Sequence, residues 1–82
     1  MRYFVYILKC ADGSLYTGST NELDKRLRQH NELKSGAHYT KIRRPVELRY
    51  FEECASLKEA RSREAEIKRM SKKKKLALTK GY

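Results

Sequence analysis

The chain has 82 residues, 39% of them hydrophobic, which restricts it to one small domain, residues 1–82, with a modest core. Its 20 Lys and Arg against 10 Asp and Glu give a formal net charge of +10. The excess is uneven: residues 1–41 carry 7 basic and 4 acidic side chains, net +3, and residues 42–82 carry 13 and 6, net +7. That favours a polyanionic partner, because each phosphate contact releases counterions. A solubility surface is the plainer explanation of the same charge. A membrane surface is the weaker one, since no helix joins a strong apolar face to Trp or Phe anchors. With no signal peptide and no apolar run of about 18 residues, the expected location is the cytoplasm, and no obligatory protein partner is evident.

Tyr3 to Cys10 is rich in β-branched and aromatic residues and reads as a strand. Ala11-Asp12-Gly13 is a turn signal, and Leu15 to Thr20 is a second strand, giving a hairpin. Asn21 can cap a helix that has Asp24 in its first turn. That helix carries Leu23 and Leu27 inward, runs to Leu33 or Lys34, and ends at a left-handed Gly36. His38 to Arg44 reads as a basic loop. Pro45 precedes a third strand, Val46 to Phe51. Ser56-Leu-Lys-Glu59 is a capping box opening a helix to about Met70, and Ser71 caps a final helix over Lys72–Leu78. The order is β-β-α-β-α-α, an α+β arrangement. Cys10 and Cys54 have no CxxC neighbour and no zinc-ligand spacing to His30 or His38. Both read as reduced, buried thiols at strand ends.

At about 100° per residue, Leu57, Ala60, Glu64, Ile67 and Ser71 share one helical stripe, while Glu66 lies on the wet side. A carboxylate on an inward face needs a cation, hydrogen-bond donors or a metal ion. A salt bridge to Arg26 is the structural explanation. The hairpin loop decides whether Tyr6 and Tyr16 cooperate. A two-residue turn puts the phenols on opposite faces. A three-residue loop with Gly13 left-handed sets Tyr6 opposite Gly18 and Tyr16 opposite Leu8, on one face, with open space above the Tyr6 phenol. Both tyrosines are otherwise ordinary core aromatics. Arg26 and His30 are four apart and stack on one side of the first helix. A solvated basic face explains Lys25 and Arg28 better than it explains Arg26.

Together these residues resemble the GIY-YIG nuclease superfamily, and most of all its small single-domain bacterial and archaeal members. Tyr6 in Phe-Val-Tyr matches the first motif tyrosine, and Leu15-Tyr16-Thr17-Gly18-Ser19-Thr20 matches the second motif. Arg26, His30 and Glu64 match the family's arginine, its His-or-Tyr position and its metal-binding glutamate. Three features depart from the pattern. The first motif lacks its glycine, Ser19 stands where some relatives place a lysine, and a late asparagine has no clear counterpart near Lys72–Lys75.

The resemblance implies a three-stranded antiparallel sheet flanked by helices, and a DNA endonuclease with catalytic Tyr6, Tyr16, Arg26, His30 and Glu64. It implies one divalent metal, Mg²⁺ or Mn²⁺, held by Glu64 and waters. Arg26 would grip the scissile phosphate, a tyrosine would orient or deprotonate water, and His30 would touch phosphate or assist the proton transfer. Lys34, Lys41, Arg43, Arg44 and Lys72, Lys73, Lys74 and Lys75 are the expected DNA-backbone contacts. The alternative is a non-catalytic nucleic-acid-binding module that keeps the basic surface and uses the tyrosines for packing or base stacking. Glu64 separates the two, because a pure binder gains nothing from an acid beside phosphates.

Overall fold

A computed structural model of the chain describes residues 2–32, 40 and 42–80. Within them run β1 (Tyr3–Lys9), β2 (Leu15–Thr20), α1 (Leu23–Glu32), β3 (Glu47–Cys54), α2 (Leu57–Lys68) and α3 (Lys72–Thr79). The strands form one antiparallel sheet in the order β2-β1-β3. β1 takes the centre because Val5-Tyr6-Ile7-Leu8 can be buried on both faces, and all four are.

The hairpin has the three-residue loop. Cys10 N–H donates to the Ser14 carbonyl at 2.8 Å, and Gly13 has φ +86°, a conformation a side chain would strain. The register follows, with Tyr6 opposite Gly18 and Leu8 opposite Tyr16. β3 extends three residues past the expected end at Phe51. Its charged Glu52 and Glu53 hid the continuation. A bulge lies beside it: Ile7 pairs with Tyr50 and Leu8 with Leu48, leaving Arg49 as the extra residue.

The sheet has a helix layer on each face. Val5 and Ile7 pack with Ala60 and Ile67 of α2, joined by Met70 and by Leu78 of α3. On the other face Tyr6, Leu8, Cys10 and Val46 pack with Tyr16 and with Leu23 and Leu27 of α1. Each large aliphatic side chain fully buried this way contributes about 1.5–3 kcal/mol.

Helix ends follow the sequence closely. The Ser56 hydroxyl accepts the Glu59 N–H at 3.1 Å, and Ser71 caps α3 through the Lys74 N–H at 3.3 Å. The returning bond of the capping box shifts by one residue, with Glu59 accepting from the Ala55 N–H. The expected end of α1 and its Gly36 lie outside the described residues. Asn31 holds the end of α1 to the entry of β3, accepting the Val46 N–H at 2.7 Å and donating to the Val46 carbonyl at 3.1 Å. Cys10 and Cys54 are both free thiols; Cys10 is buried, but Cys54 is only half-buried at the end of β3. Among the described residues no helix is long and apolar enough to cross a membrane.

Candidate active site

The two phenols lie on the α1 face with His30. Tyr6 is 2% exposed, and its hydroxyl lies 2.8 Å from His30 Nε2. The other ring nitrogen, Nδ1, lies 2.7 Å from the Thr40 hydroxyl. A neutral imidazole donates at one nitrogen and accepts at the other, so it joins Tyr6 and Thr40 into one chain of hydrogen bonds. Burial, together with the Arg26 and Arg44 charges, lowers the His30 pKa to about 4, so the ring is neutral at physiological pH. Burial raises the Tyr6 phenol to about 12 despite a hydrogen bond and positive charge from Arg26. The half-buried Tyr16 ring stands edge-on to His30, 5.1 Å between centroids.

Gly18 makes room for this group. A Cβ built there would lie 2.5 Å from the Tyr6 hydroxyl and 2.7 Å from its Cζ. The space expected to be open above the phenol is therefore filled by the phenol itself. Lacking a side chain beneath it, the Tyr6 ring crosses over β2, the edge strand.

Glu64 reaches β2 from the opposite face. Its Oε1 accepts the Ser19 hydroxyl at 2.6 Å, and its Oε2 pairs with Lys68 Nζ at 2.8 Å. Burial alone would raise this carboxyl. The bonds from Lys68 and Ser19 and the charges of Lys68 and Arg61 outweigh it, so the pKa is lowered and Glu64 stays ionised. Its partners are thus Ser19 and Lys68, not Arg26, whose guanidinium donates to Gln29 at 2.9 Å. The groups from the two faces still influence one another: the Glu64 charge raises Tyr6, and Tyr16 raises Lys68.

Around the end of β2 a cleft of about 490 Å³ joins the two faces. Arg26 enters it from α1, Arg61 from α2, and Ser19 from the strand between them. Arg26 lines this cleft, Glu64 adjoins it through Ser19, and Tyr6 and Tyr16 lie along β2 on the α1 face. His30 lies with the two phenols, 0% exposed and bonded to Tyr6 and Thr40. Glu66 is exposed and paired with Arg63 on the wet side of α2.

The basic residues divide. Lys72, Lys73 and Lys74 are exposed on α3, with Lys75 half-buried. Arg43 is engaged by Asp12 at 3.0 Å, and Arg44 donates to the Gln29 and His30 carbonyls, fixing the end of α1. Both thus make bonds within the fold. Lys34 and Lys41 lie outside the described residues. Sequence reading missed Thr40, Arg61 and Lys68 as site neighbours. Only Lys68 carried a signal, its four-residue spacing from Glu64.

Among the described residues no three His, Cys, Asp or Glu side chains cluster to hold a metal. Glu64, partly exposed, and the Ser19 hydroxyl offer hard oxygen donors. Such a set fits Mg²⁺ or Mn²⁺ held largely by water and substrate phosphate, and no softer metal.

A hairpin bearing two phenols, a helix bearing an arginine and a second helix bearing a glutamate meet at one sheet edge, in a chain whose family match is to a nuclease-type domain. Residues 2–77 match the model of the GIY-YIG catalytic domain, and the chain belongs to the GIY-YIG family. Within it, the similar proteins are UPF0213 proteins. That of Syntrophus aciditrophicus is 53% identical, over 94% of this chain and 88% of the relative. One from Staphylococcus saprophyticus is 52% identical, over 94% and 93%. Among solved structures, a UPF0213 protein of Bacillus halodurans is 42% identical, with a TM-score of 0.60 over 95% of this chain and 82% of that one. A protein of E. faecalis is 34% identical, with a TM-score of 0.63 over 95% and 83%.

Proposed function

We propose that the chain is a single-domain, metal-dependent DNA endonuclease. It hydrolyses phosphodiester bonds with little sequence preference, in the cytoplasm, in DNA repair or recombination. The observation that carries this reading is the cleft that Arg26 and Arg61 share beside the Glu64 carboxylate. Two guanidinium groups from different helices can grip one phosphodiester from two sides. A binding surface for phosphates is weakened by an ionised acid, whereas a cleavage site needs one.

Arg26 and Arg61 hold the phosphate and stabilise the charge that grows on it. Tyr16, half-buried and within the field of Lys68, is the phenol suited to take a proton from the attacking water. Tyr6 is poorly suited to act as that base, because it is buried, its hydroxyl is engaged by His30, and its pKa is raised to about 12. It positions the hairpin and Arg26 instead. A divalent ion at Glu64, when bound, neutralises charge on the leaving oxygen. The α3 lysines contact the DNA backbone and carry no base readout.

The test is purified protein with Mg²⁺ or Mn²⁺ against linear, nicked, flapped and branched DNA. Cleavage that stops on chelation is the expected result. DNA binding without cleavage under any divalent ion would leave the nucleic-acid-binding module as the function.

A further inference from the structure

We infer that Lys68 is a built-in occupant of the Glu64 carboxylate, which an incoming divalent ion must displace. This rests on Glu64 as the metal-holding carboxylate. Both of its oxygens are taken, one by the Ser19 hydroxyl at 2.6 Å and the other by the Lys68 ammonium at 2.8 Å. Glu64 precedes Lys68 by four residues on α2, the orientation a helix favours for such a pair. A divalent ion at Oε2 would meet a like charge within a few ångströms. The Lys68 side chain is 52% exposed against 20% for Glu64, so the lysine can swing into water while the carboxylate stays put. Holding the long lysine side chain in one geometry costs entropy, so its bond is replaceable.

The displaced ammonium remains on the same turn of α2, near Tyr16, whose field it already shares. Until metal arrives, Lys68 neutralises a half-buried acid that would otherwise repel DNA. By linkage, whatever draws Lys68 away, such as a phosphate in the cleft, tightens the metal by the same factor.

The experiment is a Mn²⁺ titration of the full chain labelled with ¹⁵N, without DNA, reading paramagnetic broadening of the Ser19 and Glu64 amide signals. Lys68→Met should lower the half-effect concentration roughly tenfold, the effect of removing one unit charge a few ångströms from a divalent ion. Lys68→Arg, which keeps the charge, should stay within about twofold of the original chain. Glu64→Gln should abolish the broadening. An unchanged half-effect concentration in Lys68→Met, with Glu64→Gln still abolishing the signal, overturns the displacement and leaves Glu64 as the ligand. Broadening that survives Glu64→Gln removes both. A check independent of any substitution uses Mg²⁺ on the original chain: the Lys68 side-chain signals should shift toward those of a free lysine as the ion binds, and signals that stay fixed at saturation overturn the inference.

Discussion

Gly18→Ala tests the architecture of the site at a position that does no chemistry. The new Cβ would lie 2.5 Å from the Tyr6 hydroxyl, 2.7 Å from Cζ and 3.1 Å from Cε2. The ring cannot step aside cheaply, because it is buried, bonded to His30 at 2.8 Å and packed edge-on against it. Overpacking costs about 1–3 kcal/mol. Breaking the Tyr6–His30 bond in the interior adds about 1–3 kcal/mol. The sum, roughly 2–6 kcal/mol, corresponds to a fall in Tm of the order of 10–50 °C for a domain of this size. Urea and thermal unfolding by circular dichroism measure it directly. The mechanism makes a second demand. Tyr6→Phe removes the closest atom, so Gly18→Ala should cost at least about 1 kcal/mol less in that background. A variant within about 0.5 kcal/mol of the original, or an additive cycle, would refute the account of why β2 carries a glycine here.

Three further outcomes follow from the same geometry. Glu64→Gln should abolish cleavage and preserve or tighten DNA binding in a gel-shift assay, while Glu66→Gln, exposed and paired only with Arg63, should do little; equal losses in both would remove Glu64 from the chemistry. His30 is held neutral, its pKa lowered to about 4 from 6.5, so the unfolded chain binds the proton first as pH falls. Its contribution is complete above the unfolded value and is lost toward the folded one, about 3 kcal/mol in all; urea unfolding of the original chain and His30→Gln across that window should differ in slope, and matching slopes would count against a buried neutral ring. Replacing Lys72 and Lys73 with Gln should weaken DNA binding alike on all sequences and reduce the log–log salt slope by about 2; an unaltered slope would place the phosphate contacts elsewhere.

Much of this arrangement was legible in the residues. Loop parity and Gly13 set the hairpin register, so Tyr6 and Tyr16 share a face. The helical phase of α2 separated inward Glu64 from wet Glu66. Phase alone did not tell that Glu64 approaches the sheet from the face opposite the phenols, because that depends on which layer each helix joins. Thr40 sits in a stretch that reads as basic loop, and its role as the partner of His30 depends on a contact ten residues back along the chain. Arg61 carried no signal in the sequence; the cleft brings it to Arg26. Arg44, read from its charge as a DNA contact, also holds two helix-end carbonyls, a role its charge did not signal.

β2 has a strand neighbour on one side only, among the described residues, and the candidate catalytic groups lie on both of its faces. Such an edge is a template on which other chains add themselves as strands. Here its end also opens onto the cleft proposed to take DNA, so occupation of one should obstruct the other. Self-association or capture of an extended peptide along β2 would act as inhibition, without touching a single catalytic side chain. An inhibitor of this domain need not imitate a phosphate; a short strand with backbone amides in register would suffice.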